Sequence, residues 1–185
     1  MKALIIVAAV IIICLLFLYL IPKREIYTEV EIDASPETVW NELVTFEEYP
    51  NWNPFIRNIS GDKHKGSKLK VSIQPVNGKA MDIEPTLLKV EELKEIRWLG
   101  QLLIAGIFDG EHVFKIQEIN ETRVKFIQSE KYAGILVPIV WTGMEPGIKQ
   151  GFQAMNKALK EIAESGNKEA ATLTNSRPLT SLVFQ

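Results

Sequence analysis

The chain has 185 residues, 46% of them hydrophobic and 24% charged, and its 21 Lys and Arg against 23 Asp and Glu give a net charge of −2. That length predicts one domain with room for an appendage, and the near-neutral charge argues against a nucleic-acid binder, which needs a basic field to neutralise phosphates. A single cysteine, Cys14, excludes an intramolecular disulfide and a Cys-rich zinc site, two histidines argue against a His-rich metal centre, and no cofactor is implied.

From Ala3 to Ile21 no residue is charged. As a helix this stretch would span roughly 28 Å, close to the ~30 Å hydrocarbon core of a bilayer. Tyr19 stands near its far end, and Pro22, Lys23 and Arg24 close it. A cleaved signal peptide has a shorter apolar region and a small-x-small cleavage site, which Leu20-Ile21-Pro22 fits poorly. The sequence therefore predicts a transmembrane anchor over residues 1–22 and a single-pass membrane localisation, with membrane contact through residues 3–21. Lys2 against Lys23 and Arg24 leaves the side of the domain undetermined. The globular domain is expected over 25–166 and a disordered tail over 167–185.

Glu25 to Ile32 alternates polar and apolar residues, with Ile26, Thr28, Val30 and Ile32 on one side, and predicts a strand. Ser35-Pro36 is a helix start, Ser35 at the N-cap and Pro36 at the first helical position, where a missing N–H costs nothing. Val39, Trp40, Leu43 and Val44 form its apolar stripe, and Phe46 to Trp52 is a second short helix or turn. Strand-like runs follow: Phe55–Ile59, then Leu69, Val71 and Ile73 in alternation, then Met81–Val90 interrupted by Pro85, which suggests an edge or bulge. Ile96–Leu103 carries Trp98 and Gly100, and Phe108–Ile119 and Val124–Glu130 flank a hairpin connection at Asn120-Glu121. About six strands without intervening helices predict an antiparallel sheet. A last helix is predicted over 147–165, its stripe being Ile148, Phe152, Met155, Leu159 and Ile162 and its C-cap Gly166.

Four segments carry a family resemblance. EIDASPETVWNELVTFEEYPNWNPFI (31–56) is similar to an opening strand, helix and Trp-Asn-Pro-Phe turn, and EPTLLKVEELKEIRWLG (84–100) to a central strand pair ending in Trp-x-Gly. GEHVFKIQEINETRVKFIQSEKYAGIL (110–136) is similar to a Gly-x-His-x-Phe hairpin, and GFQAMNKALKEIAE (151–164) to a closing helix. Together they resemble the START-like (SRPBCC) superfamily and, within it, the polyketide cyclase/dehydrase-like group. The resemblance implies an α+β helix-grip fold, a curved antiparallel sheet of six to seven strands wrapped on the long C-terminal helix, with an apolar cavity between them. Members range from lipid carriers to cyclases to chaperone activators, so a function carried across rests on analogy.

A bent sheet cannot lie flat on one helix, so large side chains or a ligand must fill the space beneath it. The residues available to line that space are Trp40, Trp52, Phe55, Trp98, Phe108, His112, Phe114, Phe126, Trp141, Met144, Phe152 and Met155; each of the hydrophobic ones serves equally as ordinary core. Trp141 and Met144 fall in GILVPIVWTGMEPG (134–147), which has the character of an apolar loop or mouth.

No phosphate loop, Gly-x-Ser-x-Gly elbow or His-Glu-x-x-His sequence is present. His112 is the weak catalytic candidate. Strand alternation places it with Phe114 and Ile116 on the inward face. Gln128 falls beside it if the hairpin connection has three residues, whereas a two-residue loop shifts the face. A buried imidazole near a carboxylate could act as a general base, or it is a core histidine satisfied by a neighbouring amide. Arg57 and Arg97 face solvent or cap an anionic head group. The leading expectation is a membrane-tethered binding domain for a hydrophobic small molecule, a lipid or polyketide-like compound. The alternatives are a cyclase or dehydratase using His112, and a protein-interaction module of the chaperone-activator kind.

Overall fold

The computed structural model describes residue 2, residues 5–7, residue 9 and residues 23–175. The first strand β1 (Arg24–Ile32) is followed by helix α1 (Pro36–Val44), a 3-10 turn over Phe46–Glu48 and helix α2 (Tyr49–Trp52). Strands β2 (Ile56–Ser60), β3 (Lys70–Ile73) and β4 (Met81–Ile83) come next, then β5 (Thr86–Glu91), β6 (Glu95–Gln101), β7 (Asp109–Asn120) and β8 (Arg123–Ala133). Helix α3 (Val137–Asn175) closes the order.

The strands form two antiparallel sheets, ordered β1-β8-β7-β6-β5 and β2-β3-β4, where the sequence predicts one sheet of six to seven strands. Pro85 is the reason. It lacks the N–H a continuous ladder needs, so the single run expected over 81–90 divides into β4 in the small sheet and β5 in the large one. The Pro85 carbonyl still accepts from Leu69 N at 2.9 Å, and Leu87 N donates to Ser67 O at 2.8 Å, joining the sheets at their seam.

At α1 the Ser35 hydroxyl accepts from Thr38 N at 3.2 Å, with Pro36 at the first helical position, and the stripe buries Val39, Trp40 and Leu43. The C-terminal stripe also packs inward: Ile148, Phe152, Met155, Leu159 and Ala163 are buried against the large sheet.

Helix α3 differs from expectation at both ends. It begins at Val137, so Trp141 and Met144 sit on helix rather than in a loop, and Pro146 lies inside it. An interior proline frees the carbonyl four residues earlier and argues for a boundary in a sequence reading. Here that residue, Thr142, and Pro146 itself are exposed, which leaves the freed carbonyl on the side of the helix that water reaches. The next residue, Gly147, is held from the other side, its carbonyl accepting from Val76 N at 3.3 Å. The helix also continues past Gly166 to Asn175, so residues 167–175 are helical where a disordered tail is expected; 176–185 lie outside the described residues.

The expected single-pass membrane localisation is corrected. No helix among the described residues is long and apolar enough to cross a membrane. Most of the segment 3–21 on which that expectation rests lies outside the described residues.

Candidate functional site in the hollow under the large sheet

Hairpin register positions the site. The link between β7 and β8 is the two residues Glu121-Thr122, with Asn120 opposite Arg123. Continued unbroken, that register would set His112 against Lys131 and turn the hairpin's two inner faces out of phase. A bulge between Glu118 and Asn120 absorbs one residue, so Glu118 pairs with Val124, Ile116 with Phe126 and His112 with Glu130. His112, Phe114, Ile116, Phe126, Gln128, Glu130 and Tyr132 therefore share the concave face.

On β6, Trp98 pairs with His112 and Gly100 with Gly110. Two glycines opposite one another remove both side chains from the sheet floor at that level. A Cβ on Gly110 would collide with the Glu130 carboxylate, so the glycine is what admits that group. Above the floor is a cavity of about 310 Å³, at the lower end of the range for small-molecule sites. Its walls are predominantly apolar: Phe55, Ile56, Val71, Ile73, Met81 and Ile83 from the small-sheet side, Trp98, Leu102, Phe108 and Tyr132 from the large sheet and its loop, and Met144 and Ile148 from α3. The polar lining consists of His112, Glu130, Asp82, Glu84 and Gln101.

Phe55 reaches this wall through the Asn-Pro-Phe turn. The buried Asn53 Oδ1 accepts from Phe55 N at 2.9 Å and Ile56 N at 2.8 Å, which fixes the chain reversal into β2. Phe55 then lies on Gly151, where a Cβ would enter its ring, and meets Phe152 edge-on at 5.4 Å.

Of the twelve residues nominated from sequence, Phe55, Trp98, Phe108, His112 and Met144 line the cavity. Trp40, Phe114, Phe126, Phe152 and Met155 are buried in the core beside it. Trp52 packs on Tyr49 at 5.0 Å near α2. Trp141 packs against Tyr132 at 5.7 Å, with the Arg24 guanidinium 5.9 Å from its ring. Arg57 is exposed and donates to Asn53 O at 3.0 Å, while Arg97 is paired with Glu95 and Glu111 on the convex face, so neither caps the cavity.

The polar group at the floor is a chain of contacts. His112 is 3% exposed and stacks on Trp98 at 4.8 Å, with Phe114 and Phe152 edge-on at 4.6 and 5.0 Å. Its Nδ1 lies 3.3 Å from Glu130 Oε2, and its Nε2 lies 3.3 Å from Gln128 Nε2. One ring nitrogen of His112 thus faces the Glu130 carboxylate and the other the Gln128 amide, which fixes the ring between them. The Gln128 amide also reaches Met155 Sδ at 3.5 Å. Tyr132 donates its hydroxyl to Glu130 Oε2 at 2.7 Å. Burial first, and then the Glu130 charge, hold the Tyr132 phenol well above the usual tyrosine range.

Glu130, Tyr132 and the Gly100–Gly110 pair are the site features that sequence reasoning did not single out. Gln128, Glu130 and Tyr132 alternate along one strand, a polar period on an otherwise apolar face that could have marked them. Among the described residues no group of three His, Cys, Asp or Glu is placed to hold a metal ion.

Many solved structures share this fold, among them three of differing description. The aromatase/cyclase Zhui from Streptomyces sp. R1128 superposes with a TM-score of 0.63 at 16% identity, covering 77% of this chain and 94% of that one. Norcoclaurine synthase from Thalictrum flavum, a point mutant in complex with a transition-state analogue, gives 0.61 at 14% identity, with 79% and 97% covered. A START superfamily protein from Mycobacterium smegmatis gives 0.60 at 21% identity, with 76% and 97% covered. No protein of curated function matches by sequence. The profile of the family described as polyketide cyclase / dehydrase and lipid transport matches residues 23–164, the whole of the sheet and most of α3. With a hollow of this make-up between sheet and helix, the chain belongs to that family, as a hydrophobic-ligand-binding or cyclase-like domain.

Proposed function

We propose that this protein binds a hydrophobic small molecule, lipid or polyketide-like, in the hollow between the large sheet, the small sheet and α3. The observation that carries the reading is the cavity of about 310 Å³ with a predominantly apolar wall and a small polar group at its floor. Burying apolar ligand surface there is worth about 25 cal/mol per Å², and the preformed wall spares much of the ordering cost. Mass spectrometry of organic extracts from gently purified protein tests it: a stoichiometric apolar compound is expected. Empty protein that also fails to bind any member of a panel of small apolar probes would contradict the reading.

The enzymatic alternative, a cyclase or dehydratase, draws on a different atom from the one first nominated. His112 Nε2 is engaged by the Gln128 amide, so the imidazole has no free nitrogen to offer a substrate. The Tyr132–Glu130 pair lines the cavity and is the acid–base couple a reaction there would use. His112 would then be a positioning residue for the Glu130 carboxylate.

A further inference from the structure

The polarity of the hollow points to one chemical class of ligand within the reading just proposed, on which this inference rests. Glu130 is the interior charged group. Its Oε2 is taken by His112 and Tyr132, whereas its Oε1 has no hydrogen-bond partner among the described residues and stands over Gly110 at the floor of the cavity. His112 and Tyr132 both meet Oε2, so neither completes Oε1. The side chain of Glu130 is only 18% exposed. A carboxylate so placed calls for a cation or a strong donor to complete it.

Nothing in the wall supplies one to Oε1. The other charged lining residues, Asp82 and Glu84 on the small-sheet side, are also acidic, and no lysine or arginine is among the described residues that line the cavity. Such a lining repels anions and draws cations toward the mouth. The aromatic rings of Trp98, Phe108 and Tyr132 also line this space, and aromatic rings attract ammonium groups. We infer that the ligand is a small hydrophobic cation, an aliphatic or aromatic amine whose protonated nitrogen pairs with Glu130 Oε1 while its apolar body fills the space under α3. A fatty acid, which would set a second carboxylate beside Glu130, is disfavoured.

Three probes of one chain length decide the matter. Dissociation constants of octylamine, 1-octanol and octanoate for the full chain at neutral pH are expected in that order, octylamine about tenfold tighter than octanol and octanoate weakest. In Glu130→Gln the advantage of the amine over the alcohol should disappear, the two constants falling within about threefold of one another. Should Glu130→Gln fail to fold, the ranking on the unaltered protein decides alone. Octanol binding as tightly as octylamine, or octanoate binding tightest, overturns the inference and leaves the apolar cavity reading in place. Absence of binding by all three overturns both.

Discussion

Two ends of the same concave face have opposite interiors. Toward the start of β6 and the end of β7, Ile96 lies opposite Phe114, Ile116 opposite Phe126, and Phe152, Met155 and Leu159 descend from α3 onto them, all buried. Toward the other end of the same strands, Gly100 lies opposite Gly110, and Met144 and Ile148 are the helix residues above. Strand curvature and helix are shared by both ends, so the hollow arises from side-chain size at one paired position. What distinguishes a cavity from a core in this molecule is a pair of glycines.

The largest expected effect lies at the filled end. Phe152→Ala removes a fully buried ring that touches Phe55 and His112, and should cost about 3–5 kcal/mol in denaturant unfolding. Phe108→Ala at the hollow end, where the ring is half-buried and borders space, should cost under about 2 kcal/mol. Equal losses would mean that the two ends do not differ in packing.

Gly110→Val forces a side chain into the Glu130 carboxylate and should cost about 1–3 kcal/mol, with loss of the Tyr132–Glu130 bond. Gly100→Leu sharpens the comparison most. A Cβ there meets only Gly110 O, at 3.9 Å, so the added side chain enters the hollow. Unfolding free energy should change by less than about 1 kcal/mol while binding of apolar probes is lost. A stable Gly100→Leu protein with unaltered binding would move the site elsewhere.

Tyrosine ionisation offers the gentlest probe, with Tyr132 on the wall of the hollow and Tyr49 buried in the filled core. Tyr49 is fully buried with its hydroxyl on Leu43 O at 2.9 Å, and burial holds its pKa far above normal; Tyr132 is raised by burial and by Glu130. A folded-state pKa above the unfolded value of about 10 favours the protonated fold. That contribution is complete below pH ~10 and is lost as pH rises beyond it. Absorbance at 295 nm should therefore show both phenols ionising only as the fold opens, and Tyr132→Phe should remove one of these delayed steps. Titration of all tyrosines near pH 10 without unfolding would contradict the burial.

Much of this architecture is legible in the sequence where a local pattern meets a single periodic face. The β1 alternation, the Ser35-Pro36 start, the 4-3-4-3 stripe of α3 and the inward direction of His112 follow from period and cap chemistry alone. Features that depend on tertiary partners are not. The bulge near Ile119 is invisible to alternation, yet it decides that His112 faces Glu130. Pro85 and Pro146 each carry one local meaning, interruption, but the first transfers the chain between sheets and the second is absorbed within a helix. The glycine pair is the plainest case, since Gly100 and Gly110 have no side chain to advertise a face and gain meaning only when the register sets them opposite one another.

The central claim is an open, largely apolar space above that pair, with the Glu130 carboxylate at its floor. An NMR titration of isotopically labelled protein with 1-octanol tests it most directly. The account predicts saturable shifts concentrated on Gly100, Gly110, Trp98 and Tyr132, with little change at Phe126 or Leu159. Shifts that fail to saturate, or that scatter over the convex face of the sheet, would contradict it.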